Sequence, residues 1–233
     1  MKKNFALIFI LLIIQFSFGQ NITDKTELYV INILGAKIYE KPTFDSKTLT
    51  ELPVGENIII EKSIETKEQF RIGENFSLPG KWIKPYGLNG FIFSSDLTDK
   101  KVEVINNEYG QINVNLIGKL ISEKTEEKQI HTKNGEFSKF FEYRYYENGT
   151  YTYTAWDGCF DHVTEYKNLT LNEVYHQMVS DYGGLMNENE FWIPIFQEKT
   201  ENILRFEGEG ATQDLKIELI ENGVIIVSSY DCT

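Results

Sequence analysis

Hydrophobic and polar positions divide this chain into three kinds of segment. Between 171 and 182, Leu171, Val174, Tyr175, Met178, Val179 and Tyr182 recur at the spacing of a single helix face. Thr170 and Glu173 stand where a capping box would, and Gly183-Gly184 closes the pattern, so a helix is predicted over 171–182. His176 falls on its polar side with Asn172 and Ser180, away from the predicted core. Elsewhere period two dominates. Asn-Gly, which supplies the positive φ angles of tight hairpins, occurs at 89–90, 134–135, 148–149 and 222–223, so the chain reads as mostly β. Around 148–149 the flanks 140–146 and 150–156 are aromatic and Thr-rich, as strands prefer, and with the turn at 134–135 they predict a meander. That turn sets Glu142, Arg144 and Tyr146 on the face of Tyr151, Tyr153 and Ala155, with Tyr143, Tyr145, Thr152, Thr154 and Trp156 behind. A turn at 222–223 would likewise put Leu215, Ile217 and Leu219 on one face with Ile226, Ser228 and Tyr230, and point Cys232 inward.

The third kind of segment is the apolar run 5–14, preceded by Lys2 and Lys3 and followed by Ser17-Phe18-Gly19. Basic start, apolar middle and small-x-small end predict a secretory signal over 1–19, cleaved after Gly19. As a helix the stretch 5–18 would span about 21 Å, short of the roughly 30 Å hydrocarbon core, so an anchor is the weaker reading. The expected location is periplasmic or secreted, with no membrane insertion after cleavage.

A further pattern runs from Leu28-Tyr29-Val30 through the segment 36–43, ending in Pro42-Thr43, and Leu52-Pro53-Val54-Gly55-Glu56. It continues through Lys81-Trp82-Ile83-Lys84 to the segment 87–97. In this order the pieces resemble a bacterial SH3 (SH3b-like) domain over residues 25–99. Lys37-Ile38-Tyr39-Glu40-Lys41-Pro42 replaces the family's usual Asn-Val-Arg-Ser-Gly-Pro run, Phe91 replaces its customary Trp, and 62–79 is a longer insertion. The resemblance implies a small β-barrel that is non-catalytic and binds peptidoglycan or short peptides, with Tyr39, Trp82, Tyr86 and Phe91 as candidates for an aromatic groove. In so small a barrel Trp82 and Phe91 are more often core than contact, and that reading carries the greater weight. The polar stretch 94–101 marks a boundary near residue 100, leaving a β-rich (α+β) domain over 104–233.

Composition narrows the partners. With 35 acidic and 23 basic residues the formal charge of this 233-residue chain is −12, which argues against nucleic acid and anionic lipid surfaces. Hydrophobic residues at 41% and aromatics at 14% are enough to build a core. Only two cysteines occur, Cys159 and Cys232, and in an exported chain they are expected to form a disulfide.

That pairing decides the search for chemistry. A cell-wall hydrolase would need Cys159 as a thiolate beside an imidazole, yet Cys159 follows a strand and a Gly turn, and only His131, His162 and His176 exist. No CxxC pair, HExxH, Gly-x-Ser-x-Gly elbow or phosphate loop is present, so no metal or cofactor is expected. The expectation is a mainly β, non-enzymatic binding protein of the cell envelope, with peptidoglycan, a peptide or a protein as ligand. Arg144, Tyr151 and Tyr153 are further candidate contacts, because a Tyr/Arg face suits sugar or protein. The alternatives are a hydrolase with its active site in 104–233, or a secreted inhibitor acting through the tyrosine face. A sheet with aromatics on both sides could also be core twice over.

Overall fold

The computed structural model describes residues 26–106, 112–133, 135–187 and 190–232. The predicted signal at 1–19 and Asn134 of the second Asn-Gly pair lie outside them. Among the described residues the chain is mainly β with one α-helix, as the turn and period-two patterns predict. Its first part runs through β1 (Glu27–Val30), β2 (Ala36–Tyr39), β3 (Thr48–Leu52), β4 (Asn57–Ile64), β5 (Gln69–Arg71), β6 (Ser77–Pro79), β7 (Trp82–Pro85), β8 (Ile92–Phe93) and β9 (Leu97–Thr98). Five of these form an antiparallel sheet in the order β8-β7-β4-β1-β9, while β2-β3 and β5-β6 are separate hairpins. Among the described residues no barrel closes, contrary to the small barrel expected. The β2-β3 hairpin meets the sheet through one bridge, Tyr39 to Phe91, whose two backbone hydrogen bonds are each 2.8 Å. A closed barrel needs a continuous ladder around its circumference, and a single bridge does not supply one. Val30, Ala36, Ile38, Ile58, Ile83, Ile92 and Leu97 fill the interior of this part.

After β10 (Glu103–Asn106) and β11 (Ile112–Asn115) come four long strands, β12 (Leu120–Thr132), β13 (Gly135–Tyr146), β14 (Gly149–Trp156) and β15 (Cys159–Tyr166). Helix α1 (Leu171–Tyr182) precedes the small β16 (Gly184–Asn187) and β17 (Glu190–Trp192) hairpin. The chain then ends in β18 (Ile195–Lys199), β19 (Ile203–Glu207), β20 (Thr212–Leu219) and β21 (Ile225–Cys232). Eight strands make one antiparallel sheet in the order β12-β13-β14-β15-β21-β20-β19-β18. At the β13–β14 hairpin Tyr146 pairs with Gly149, so the bend falls one residue earlier than the Asn-Gly pair suggests. This moves the register by two, and parity survives: Arg144 faces Tyr151 and Glu142 faces Tyr153.

The last hairpin departs from expectation by one position, and parity does not survive. Asn222 (φ 68°) and Gly223 (φ 77°) do adopt left-handed angles, but within a 3₁₀ turn at Glu221–Gly223. Leu219 pairs with Ile225, Ile217 with Val227 and Lys216 with Ser228. Ile225, Val227 and Ser229 therefore face the core, whereas Ile226, Ser228, Tyr230 and Cys232 lie on the opposite face. The inward-pointing Cys232 is corrected accordingly; it stands half-buried, directly across from Cys159.

Helix α1 spans the predicted residues, with both hydrogen bonds of the Thr170/Glu173 capping box formed. Its apolar stripe joins Tyr166, Leu215, Ile217, Ile225 and Val227 in one cluster that also takes Ile31, Phe76 and Leu78 from the first part. Phe76 and Leu78 come from the 62–79 insertion, so that segment is a packing element between the two parts of the chain.

The helix's polar side is buried as well. Glu173, His176, Gln177 and Ser180 are all at most 4% exposed, because residues 95–100 and β11 cover them. Gln177 accepts from the Leu116 amide and donates to the Val114 carbonyl, and Ser180 Oγ accepts from the Val114 amide. Polar helix side chains thus take the place of a neighbouring strand along one edge of β11, satisfying groups that burial would otherwise strand.

Glu173 is the most heavily used of these. Its carboxylate accepts from Thr98, from Lys100 Nζ at 2.8 Å and from the Thr170 amide at 2.7 Å. Burial raises its pKa, but the hydrogen bonds from Lys100, Thr170 and Thr98 outweigh it and hold the carboxyl below its ordinary range. Glu173→Ala is expected to cost about 3 kcal/mol in urea unfolding, and Glu173→Gln roughly half of that, since leaving buried partners unmatched costs more than the bonds contribute. A depressed carboxyl contributes stability above its unfolded pKa, so the wild-type advantage should fade as pH falls through the lower folded value. A loss under about 1 kcal/mol for the alanine variant would mean that water satisfies Thr98 and Lys100.

Candidate functional site

The four aromatic candidates of the first part do not form one groove. Trp82 is 0% exposed and its ring centroid lies 5.4 Å from Tyr39, 4.9 Å from Phe44 and 5.2 Å from Phe93, with its indole N–H donating to Glu68 at 2.8 Å. It is core, and its reading as a contact is corrected. Tyr39 is half-buried against the same rings, and Phe91 is half-buried where its backbone pairs with Tyr39. Tyr86 alone of the four is exposed, just after β7.

The two cysteines are joined in a disulfide closing 73 residues of sequence, which removes Cys159 as a nucleophile and as a thiolate ligand. Among the described residues no three His, Cys, Asp or Glu side chains gather as a metal site would require. The histidines are dispersed. His131 is exposed beside Glu136, and His176 is buried with its Nε2 3.1 Å from the Ser95 carbonyl and 3.5 Å from Asp96. The covering segment 95–98 is what makes His176 a core residue despite its place on the helix's polar side. His162 lies with its Nδ1 2.8 Å from the Tyr151 hydroxyl and its Nε2 3.6 Å from Asp231.

The tyrosine sheet is not covered on both sides. Strands β14, β15 and β21 present Tyr151, His162, Thr164, Val227 and Ser229 on one face, and α1 covers only the end near Tyr166 and Val227, where Tyr182 and Ser229 share a hydrogen bond of 3.1 Å. The other face carries Phe141 stacked with Tyr143, Lys139 Nζ 4.0 Å above the Trp156 ring, and Tyr145 at 40% exposure. Neither face of β13–β14 is sealed, so the doubly buried reading does not hold.

Where the open part of the first face meets α1 and the β10–β11 hairpin, a cavity of about 410 Å³ forms. Arg144, Tyr146, Tyr151 and Tyr166 line it from the sheet, Gln177 and Asp181 from the helix, and Asn113 and Asn115 from β11. Of the predicted candidates, Arg144 and Tyr151 are in its wall. Tyr153 is not; it packs among Phe140, Phe160 and His162. Asp181, Gln177, Tyr166 and the two asparagines were not legible as site residues. Tyr166 and His162 could have been placed by parity once β15 was paired to β14, but the helix and β11 reach the cavity only through tertiary packing.

The groups in this wall are set to bind. Burial, the leading cause, pushes the Tyr151 hydroxyl up to about 12, so at neutral pH it is a protonated hydrogen-bonding group and not a phenolate nucleophile. Arg144 donates its Nε proton to Glu142 and lies 5.7 Å from the Tyr151 ring centroid. Asp181 is exposed toward the cavity yet ringed by protein, which pushes its carboxyl up to about 7 against the hydrogen bonds from Gln177 and Tyr166. Its exposure to solvent makes that rise smaller than full burial would give. Aromatic faces, amides and one carboxylate in a concave wall are the groups that hold polyhydroxylated or peptide ligands. No protein-family model matches the chain, and neither a curated protein nor a solved structure is detectably similar to it.

Proposed function

We propose that this chain is an exported, non-catalytic binding protein of the cell envelope that holds peptidoglycan or a peptide in the cavity between the tyrosine sheet and α1. The observation that carries the reading is the convergence of Arg144, Tyr151 and Asp181, from three separate elements, on one concave wall. A disulfide and an apolar leader at 5–14 fit an oxidising compartment outside the cytoplasm. The resemblance of 25–99 to bacterial SH3 domains makes the cell wall the first partner to try. A thiol-dependent hydrolase is not favoured, because both sulfurs are in the bridge.

The chain beginning at Gln20 is expected to cosediment with purified sacculi, or to bind soluble wall peptides in calorimetry. Tyr151→Ala with Arg144→Met should weaken that binding by about tenfold or more, since an aromatic and an arginine are the usual anchors of an interface. Wild-type retention by this double variant would remove the cavity from the reading, and failure to bind either preparation would remove the cell wall.

A further inference from the structure

Charge in the cavity wall is unbalanced. Two of its lining residues carry a full charge at alkaline pH, Arg144 and Asp181. Arg144 is already matched: its guanidinium is bonded to Glu142, two residues away on the same face of β13. Asp181 is not. It accepts from Gln177 Nε2 at 2.8 Å and from the Tyr166 hydroxyl, both neutral donors, and among the described residues no cation lies within ion-pair distance of it. It is exposed to solvent nevertheless, and it lines the same cavity as Tyr146 and Tyr151.

A carboxylate without a counter-charge, in an open cavity that it shares with tyrosine rings, is complementary to an ammonium group. The carboxylate supplies the charge-assisted hydrogen bond, and the ring faces attract the same cation. An anionic group would meet Asp181 with Arg144 already occupied. A neutral sugar could satisfy hydrogen bonds there but would leave the charge unmatched. We propose that the cavity takes a ligand bearing a primary ammonium group, such as a lysine-like side chain of a peptide, seated against Asp181. This inference rests on the cavity being the ligand seat and adds the chemistry of what enters it.

The groups around Asp181 fix how pH should act. Tyr166 faces it from β15 and Tyr182 adjoins it on α1; Arg144 and Tyr146 from β13 and Tyr151 from β14 line the same cavity, while β11 contributes the neutral Asn113 and Asn115. Asp231 from β21 acts on Tyr182 beyond them. Burial keeps Tyr151, Tyr166 and Tyr182 neutral, and Arg144 stays charged throughout the range of interest; His162 adjoins the cavity behind Tyr151, with its Nδ1 2.8 Å from that hydroxyl and its Nε2 3.6 Å from Asp231, so the Asp181→Asn variant is what assigns the pH effect to Asp181. Its raised pKa shifts it toward the protonated form on the acid side, where it has less charge to offer a cation.

The test is calorimetry on the chain from Gln20 at low salt, with three probes: Nα-acetyl-lysine methylamide, its uncharged counterpart Nα-acetyl-norleucine methylamide, and tri-N-acetylchitotriose. The lysine probe should bind about tenfold or more tighter than the norleucine probe at pH 8, and that preference should shrink by roughly threefold or more at pH 5.5. Asp181→Asn, which keeps an acceptor for Gln177 and Tyr166, should abolish both differences. If chitotriose or the norleucine probe binds as well as the lysine probe and Asp181→Asn changes nothing, the ammonium seat is overturned while the cavity stands as a binding site. If no probe binds and sacculus binding ignores the Tyr151→Ala and Arg144→Met pair, the cavity reading falls and this inference with it.

Discussion

Reduction of the Cys159–Cys232 bridge is expected to lower the stability of the folded chain by about 4 kcal/mol, measured as the shift in urea unfolding with and without a phosphine reductant. The bridge closes 73 residues of sequence. In the chain-entropy account, a loop of that length loses roughly 4 kcal/mol of unfolded-state freedom when it is cross-linked. The ladder between β15 and β21 runs unbroken from Cys159–Cys232 to Tyr166–Ile225, so the folded state already holds the two sulfurs adjacent without the bond. Most of the effect should therefore appear as a more expanded unfolded state, with a larger denaturant slope, and little as rearrangement of the sheet. Cys159→Ala with Cys232→Ala should match the reduced protein. A shift of less than about 1 kcal/mol would mean that the denatured chain retains the β15–β21 pairing. The same samples test the chemistry: without reductant, neither cysteine should react with an alkylating agent.

Trp82→Ala is expected to cost about 4 kcal/mol, the range for removing a large aromatic side chain from a filled interior. The indole is 0% exposed, is enclosed by the rings of Tyr39, Phe44 and Phe93, and anchors the Glu68 carboxylate. Trp82→Phe keeps an aromatic ring but a smaller one and loses the N–H donor, so about 1–2 kcal/mol should follow from the lost bond and the lost ring volume. Tyr86→Ala, at a side chain 60% exposed, should stay within about 0.5 kcal/mol. Ligand affinity per folded molecule should be unchanged by Trp82→Phe. A variant that folds with wild-type stability yet loses wall binding would return Trp82 to the contact surface.

The Cys159–Cys232 bridge and Trp82 mark opposite ends of what could be read in advance. The cysteine pairing was legible from the count of two and the expected export, with no knowledge of geometry. The role of Trp82 does not follow so directly: the sequence weighs core above groove for an aromatic in so small a unit, and only the rings packed around it decide. The turns show the same division. Asn148-Gly149 and Asn222-Gly223 carry identical local signals, yet the first leaves the face assignment intact and the second reverses it. A register moved by two keeps every side chain on its face, and one moved by one turns all of them over.

By itself the sequence determined the mainly β class, the span and cap of helix α1 and the faces of the tyrosine hairpin, because each depends on residues two to eleven positions apart. It did not determine that the helix's polar side would be buried, that the insertion at 62–79 would supply part of the shared core, or that Asp181 would meet Arg144 and Tyr151 across one cavity. Those outcomes are set by which distant surfaces pack together, and the packing energy that selects them depends on shape matched between segments tens of residues apart. Local periodicity fixes the face each element offers; the neighbour that covers it is decided only when the whole chain folds.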